Sequence, residues 1–367
     1  MIRVLILGGY GNFGSYIARR LAADANVTLL IGGRSRAKAE ALVAALGTGE
    51  AVEIDIAGDI GGGLARSRPD LVIHTIGPFQ AQSYRVAEAC IAAGAHYLDL
   101  ADARGFVGGI GALDAKAKAA SVAVVAGASS VPALTAAIVD RYRPRFARLE
   151  SVDYGISTAA QGSRGLATAA SVLSYAGRPF PILRDGDWTT VHGWQGLHAE
   201  TYPELGRRLF GDCDIPDLDL FPVRYPELET VRFRAGHELV ILHLGTWALS
   251  WLVRLHLLPR LSRIAPFLLG ASRLFDRLGT GRSGLHMILR GVDQAGARRI
   301  VRFYLIARQG DGPFIPCIPA ILIARRLAAG EPIAPGARPC LDLIDIDQYL
   351  AALEGLDISI RVEGDDA

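Results

Sequence analysis

The chain has no cysteine framework. Cys90, Cys213, Cys317 and Cys340 stand far apart without C-x-x-C spacing, so neither a zinc site nor a disulfide scaffold is signalled and a reducing compartment is expected. It also has little excess charge. A formal net charge of +2 leaves no broad basic surface to neutralise phosphates, which argues against nucleic acid as a main partner. No basic n-region, apolar h-region and cleavage site precede the first strand, and a cytoplasmic protein is expected. No internal repeat or low-complexity linker occurs, and no metal triad, nucleophile elbow or kinase set. His192, His198, His237 and His243 lack the paired spacing of metal ligands, so no metal is expected. What remains is 367 residues, half of them apolar, which exceeds one ordinary core and predicts two domains.

The strongest signal lies at the start. Residues 3–7 read as a buried strand and 15–23 carry apolar residues at helical spacing; between them stands Gly8-Gly9-Tyr10-Gly11-Asn12-Phe13-Gly14. Strand, G-x-G-x-x-G and helix in succession give the context in which this pattern marks a dinucleotide site. Gly9 permits the tight turn, Gly11 lets backbone N–H groups approach a pyrophosphate, and Gly14 lets helix and strand pack closely. The second strand, 27–31, ends in Gly32-Gly33-Arg34-Ser35-Arg36. An NAD site places a carboxylate near here for the ribose 2′-hydroxyl; a guanidinium instead suits a 2′-phosphate, which favours NADP(H). The plainer alternative makes Arg34 and Arg36 solvated residues at the start of a helix, 36–46, capped by Ser35.

Strands are further expected at 52–56, 70–76, 96–101 and 122–126, separated by helices at 83–93 and 114–120. Six strands alternating with helices predict a Rossmann-type, doubly wound parallel sheet. Asp55, ending the third strand, reads as an adenine contact or a loop carboxylate. Gly77-Pro78-Phe79 closes the fourth strand where ribose and nicotinamide belong. Because the cofactor carries the hydride, the protein supplies positioning and a proton, and candidates come from the carboxyl ends of these strands. Asp102 and Tyr84 are the candidate proton donors, and Gln80, Asp99 and Arg104 the candidate substrate contacts. Each has a structural alternative: Tyr84 as a core residue of its helix, Asp99 as the cap of a turn, Arg104 as the partner of Asp102.

Three runs, GGYGNFGSYIARRL, HTIGPFQAQSYRVAEACIAAGAHYLDLADAR and GASSVPALTAAIVDRY, together resemble the saccharopine dehydrogenase-like reductases, the saccharopine dehydrogenase NADP-binding-domain family. The match is clear over roughly the first 145 residues, with weaker echoes in SRGLATAASVLSYAGRP and DGPFIPCIPAILIARRLAAGEP. The resemblance implies NADP(H) binding, a second α/β domain and a C-terminal segment that returns to the first. Pro132-Ala133-Leu134 stands where the family often carries P-G-L, so the substrate is not copied from saccharopine.

Beyond Tyr142 the pattern changes. Strands are expected at 149–156 and 231–235, a helix at 164–175, and hairpins spanning 181–191 and 285–307, which together give an α+β domain with a largely antiparallel sheet. Arg164, with Ser163 and Thr168, begins a helix that suits an anion or is a plain N-terminus. Domains are expected at 1–128, 129–312 and 313–367, the last a C-terminal helix and tail that pack back on the first, with its acidic end, Glu363-Gly364-Asp365-Asp366, expected to be disordered. Residues 239–258 are apolar almost all round. They read as a core or homodimer-interface helix, as an interfacial helix on a membrane or around a lipophilic substrate, or as a span, against which Arg254 argues. The expected function is an NADP(H)-dependent oxidoreductase acting on a C=N or C=C bond of a small or lipophilic substrate. The alternatives are a membrane-peripheral reductase of lipid or polyketide-like chains and a non-catalytic NADP(H) sensor or scaffold.

Overall fold

The computed structural model describes residues 1–161 and 165–364. The chain divides into two compact units, Met1–Ala137 with Phe314–Leu353, and Ile138–Pro313 with Glu354–Ala367.

The first unit is built on β1 (Ile2–Leu7), β2 (Val27–Gly33), β3 (Glu50–Glu53), β4 (Leu71–His74), β5 (His96–Asp99) and β6 (Ala123–Ala126). The sheet runs β6-β5-β4-β1-β2-β3, every pair parallel. Val4 to Leu7 and Leu71 to Ile73 are fully buried, as continuous apolar runs must be when helices cover both faces of a parallel sheet. Local signals set the helix ends: Ser35 caps the helix Arg36–Leu46 and Gly47, at φ +70°, closes it. The doubly wound sheet expected from the sequence is therefore present, with one strand more than the six read there. Residues Gly336–Pro339 (β15) pair with β6 and extend the sheet to seven strands.

The second unit holds β7 (Arg148–Thr158), β10 (His198–Tyr202), β11 (Gly206–Asp212), β12 (Thr230–His237), β13 (Ser283–Val292), β14 (Arg298–Ala307) and β16 (Ile358–Glu363) in a second seven-stranded sheet, with a hairpin of β8 (Pro179–Arg184) and β9 (Asp187–His192) beside it. Only β7 and β12 pair in parallel. The β8–β9 turn carries Asp185 and Gly186 at φ +52° and +86°, the positive angles that suit a two-residue hairpin. The tail divides, contrary to its assignment as a whole to the first domain: β15 joins the first sheet, whereas β16 finds an open edge at β14 and pairs there.

The apolar stretch 239–258 forms the helix Val240–Arg254, and no helix among the described residues is long and apolar enough to cross a membrane, which removes the span from the three readings. Arg254 closes it in the last turn, donating to Gln195 Oε1 (2.7 Å) and lying over the Trp251 ring.

Candidate active site

The turn after β1 is shaped by glycine at each position that geometry restricts. Gly8 sits at φ +78° and Gly11 N donates to Gly8 O (2.8 Å), while the amides of Gly8 and Gly9 both donate to Gly32 O (2.9 and 3.1 Å). A Cβ on Gly14 would lie 2.3 Å from Gly8 O and 2.8 Å from Gly9 Cα; one on Gly9 would lie 2.9 Å from Ile31 Cγ2. Gly9 and Gly14 are thus required by packing. Gly11 differs, since its Cβ would meet only Gly8 O, at 3.1 Å, and otherwise open space. Gly11 is also the N-cap of the helix Asn12–Leu21, which has neither a side-chain cap nor an acidic residue in its first turn. Asn12 and Phe13 therefore open a helix whose positive end is left for an anion.

Tyr10 takes a role that the motif does not specify. Its ring lies over the end of β2, where a Cβ on Gly33 would come within 2.5 Å of it, and its hydroxyl accepts from Ser35 N (3.0 Å). Ser35 Oγ in turn accepts from Lys38 N as the helix cap. Ser35 Oγ accepts there and keeps its own hydroxyl proton to donate, so Arg34 and Ser35 both stand at the end of β2 as the sequence expects for a 2′-phosphate contact. Arg36 pairs with Glu40 (2.8 Å), whereas Arg34 is exposed and forms no ion pair among the described residues. Asp55 is exposed and accepts from Ala57 N (3.0 Å), as a turn carboxylate does.

The corner after β4 is fastened to the glycine turn by Thr75, whose Oγ1 donates to Leu7 O (2.8 Å). Pro78 follows Gly77 through a cis peptide and is exposed; Phe79 is buried between His74 (5.0 Å between ring centroids) and Phe106 (5.3 Å). Gln80 Nε2 then donates to Asp102 Oδ1 (3.2 Å), which brings these two candidates together. Asp102 is half-buried. Two other candidates are drawn into structural bonds. Tyr84 donates its hydroxyl proton to Phe106 O (2.7 Å), with its ring packed on Phe106, so it is a brace and not a free donor. Asp99 is wholly buried and accepts from Ala101 N (2.9 Å) and Gly127 N (2.8 Å), joining the loops after β5 and β6, so no substrate reaches it. Burial outweighs those bonds and raises its pKa to about 6. Arg104 is likewise buried, and Arg164 lies outside the described residues.

His74 is the residue that sequence reading passed over. It ends β4 as a lone histidine in an apolar strand, bonded through Nδ1 to the Tyr97 hydroxyl (3.0 Å), with Nε2 buried and without a hydrogen-bond partner among the described residues. Burial lowers its pKa to about 3, so the ring is neutral. Among the described residues no group of histidine, cysteine and carboxylate side chains is placed to hold a metal, and all four cysteines are buried thiols.

Residues 4–125 match the family model of the saccharopine dehydrogenase NADP binding domain. No curated protein sequence matches the chain. Among solved structures, apo saccharopine dehydrogenase (L-Glu forming) from Saccharomyces cerevisiae superposes with a TM-score of 0.70 at 14% identity, covering 99% of this chain and 100% of that one. Homospermidine synthase from Legionella pneumophila, solved with NAD, gives a TM-score of 0.60 at 11% identity, covering 100% of this chain and 92% of its own. Amine dehydrogenase from Mycobacterium smegmatis gives 0.50 at 13%, covering 93% and 95%. At these identities the likeness is one of fold. Residues 4–125 thus match a saccharopine dehydrogenase NADP binding domain, and the chain as a whole has the fold of saccharopine dehydrogenase.

Proposed function

We propose that the protein is an NADP(H)-dependent oxidoreductase that moves a hydride to or from a C=N or C=C bond of a small or lipophilic substrate. The carrying observation is the open approach at Gly11: an uncapped helix end faces a gap that a single methyl would begin to fill, beside a cation with no ion-pair partner among the described residues. These residues fit a dinucleotide. The amides at the start of Asn12–Leu21 hold the pyrophosphate, Tyr10 and Gly33 form the floor beside the adenosine, and Arg34 grips the 2′-phosphate with charge-assisted bonds. Bound NADP(H) supplies the hydride. Gly77, Pro78 and Phe79 shape the wall where the nicotinamide end belongs. Asp102, oriented by Gln80, holds or passes the proton that accompanies hydride transfer. Tyr84 braces the short helix Arg104–Gly108 through Phe106 O.

Titration of the protein with NADPH and with NADH, followed by nicotinamide fluorescence, tests this reading. NADPH is expected to bind more tightly; equal affinity for the two, or binding of neither, overturns it.

A further inference from the structure

The helix Val240–Arg254 is apolar on two sides, and the fold covers only one. Leu249 and Val253 pack with Leu258, Ile264 and Leu268 around Trp194, Ala176 and Leu261. On the opposite side Ile241, Leu244, Trp251 and Leu255 follow one another at intervals of three, seven and four residues, with Leu252 next to Trp251, and all are exposed, Leu255 to 61%. Exposed apolar side chains recur on the next helix, Ala265–Arg273, and past its end, where Phe267 is 73% and Leu274 81% exposed. Most of the exposed large apolar side chains among the described residues fall between 240 and 278. A patch of this kind on a folded protein marks a surface that meets something apolar.

Charge identifies the occupant. From residue 239 to residue 282 the chain carries Arg254, Arg260, Arg263, Arg273, Arg277 and Arg282 against a single acid, Asp276. Arg260, Arg263, Arg273 and Arg277 are exposed and form no ion pair among the described residues. A two-fold contact between copies would set this patch against itself, arginine facing arginine, with one carboxylate per copy to offset four free guanidinium groups. An anionic lipid surface answers both features. Apolar side chains enter the headgroup–acyl boundary while arginine stems lie along it and present their charge to phosphate.

We propose that this face docks on an anionic bilayer, with Leu255, Phe267 and Leu274 entering it and Arg260, Arg263, Arg273 and Arg277 holding headgroup phosphates. The docking is peripheral and does not rest on the cofactor reading. It places the protein where a lipophilic substrate would be found.

The test is co-sedimentation of the full chain with vesicles of phosphatidylcholine alone or mixed with phosphatidylglycerol. Binding is expected to the mixed vesicles only, to fall with added salt, and to weaken about twenty-five-fold in Arg273→Gln/Arg277→Gln, at about fivefold per arginine near a charged surface. Leu255→Ser/Phe267→Ser is expected to abolish it, with thermal melting showing that both variants remain folded. Failure to bind either vesicle overturns the proposal, as does equal binding to both compositions. A dimer in light scattering that Leu255→Ser/Phe267→Ser dissociates would assign the face to a second copy and overturn it as well.

Discussion

Gly11 and Gly14 belong to one motif, yet the structure gives them different tasks, and two alanine substitutions separate them. In Gly14→Ala the new methyl meets backbone, Gly8 O at 2.3 Å and Gly9 Cα at 2.8 Å, neither of which can rotate aside. Forcing helix from strand costs about 3 kcal/mol, at the upper end for overpacking. The higher helix propensity of alanine returns about 1 kcal/mol, leaving a net loss of about 2 kcal/mol. That corresponds to a fall in melting temperature of roughly 4–8 °C for a unit of this size. In Gly11→Ala the only contact is Gly8 O at 3.1 Å, and the residue's φ of −79° suits alanine. Replacing glycine by alanine at an N-cap costs less than about 1 kcal/mol, so melting changes by no more than roughly 4 °C. Its methyl nevertheless stands in the gap through which a pyrophosphate must approach, and NADPH binding is expected to be lost. Differential scanning fluorimetry with and without NADPH reads both effects together. A folded Gly11→Ala protein that binds NADPH like the parent would refute the reasoning, because the gap would then serve no ligand.

Other expectations follow from single contacts. Arg34→Ala is expected to weaken NADPH about tenfold to thirtyfold, the value of an exposed charge-assisted bond of about 1.5–2 kcal/mol, and to leave NADH unchanged; equal losses for the two dinucleotides would move the 2′-phosphate elsewhere. Asp99 has a folded pKa raised to about 6, so between the ordinary carboxylate range and that value the folded protein holds a proton that the unfolded chain has released. Its contribution to stability therefore rises as pH falls through 6. Asp99→Asn should exceed the parent in stability at neutral pH by up to about 3 kcal/mol, and urea melts should show that advantage vanishing towards pH 4. A constant difference across that range would reject the assignment. Asp102→Asn is expected to lower kcat about a hundredfold or more with NADPH affinity intact, whereas Tyr84→Phe, losing one bond to Phe106 O, should cost about 1 kcal/mol of stability and leave turnover in place.

What the sequence discloses depends on how each residue is constrained. The inner strands of the first sheet are legible because burial on both faces forces unbroken apolar runs, as in Val4 to Leu7. The edge strand β3, by contrast, is exposed at both glutamates and falls at Glu50–Glu53, not at the expected 52–56. β15 is not legible, since Gly-Ala-Arg-Pro has no strand character and is held by its pairing with β6. β10 and β11 escape notice for a related reason: Glu200, Arg207 and Arg208 are polar, and half-buried strands tolerate them. Pro222 conceals the helix Asp217–Arg224. Within the site, the glycine turn is readable because backbone geometry itself demands glycine at Gly8, Gly9 and Gly14. The fates of Asp99 and Tyr84 are not readable, since Gly127 N and Phe106 O are brought to them only by tertiary folding. The lone His74 offered one faint sign, a titratable ring inside an apolar strand.

The threading of the C-terminal segment bears on how this protein is made. Because β15 closes the free edge of β6 and β16 later completes the other sheet, neither half is finished until Gly336–Pro339 and Ile358–Glu363 have been made. A ribosome that stalls at Pro313 would release a dinucleotide half with bare strand edge at β6, an invitation to aggregate. For the same reason an uninterrupted amino-terminal fragment lacks part of its own unit, and a complete cofactor half requires Phe314–Leu353 joined back to it, by a linker or by co-production.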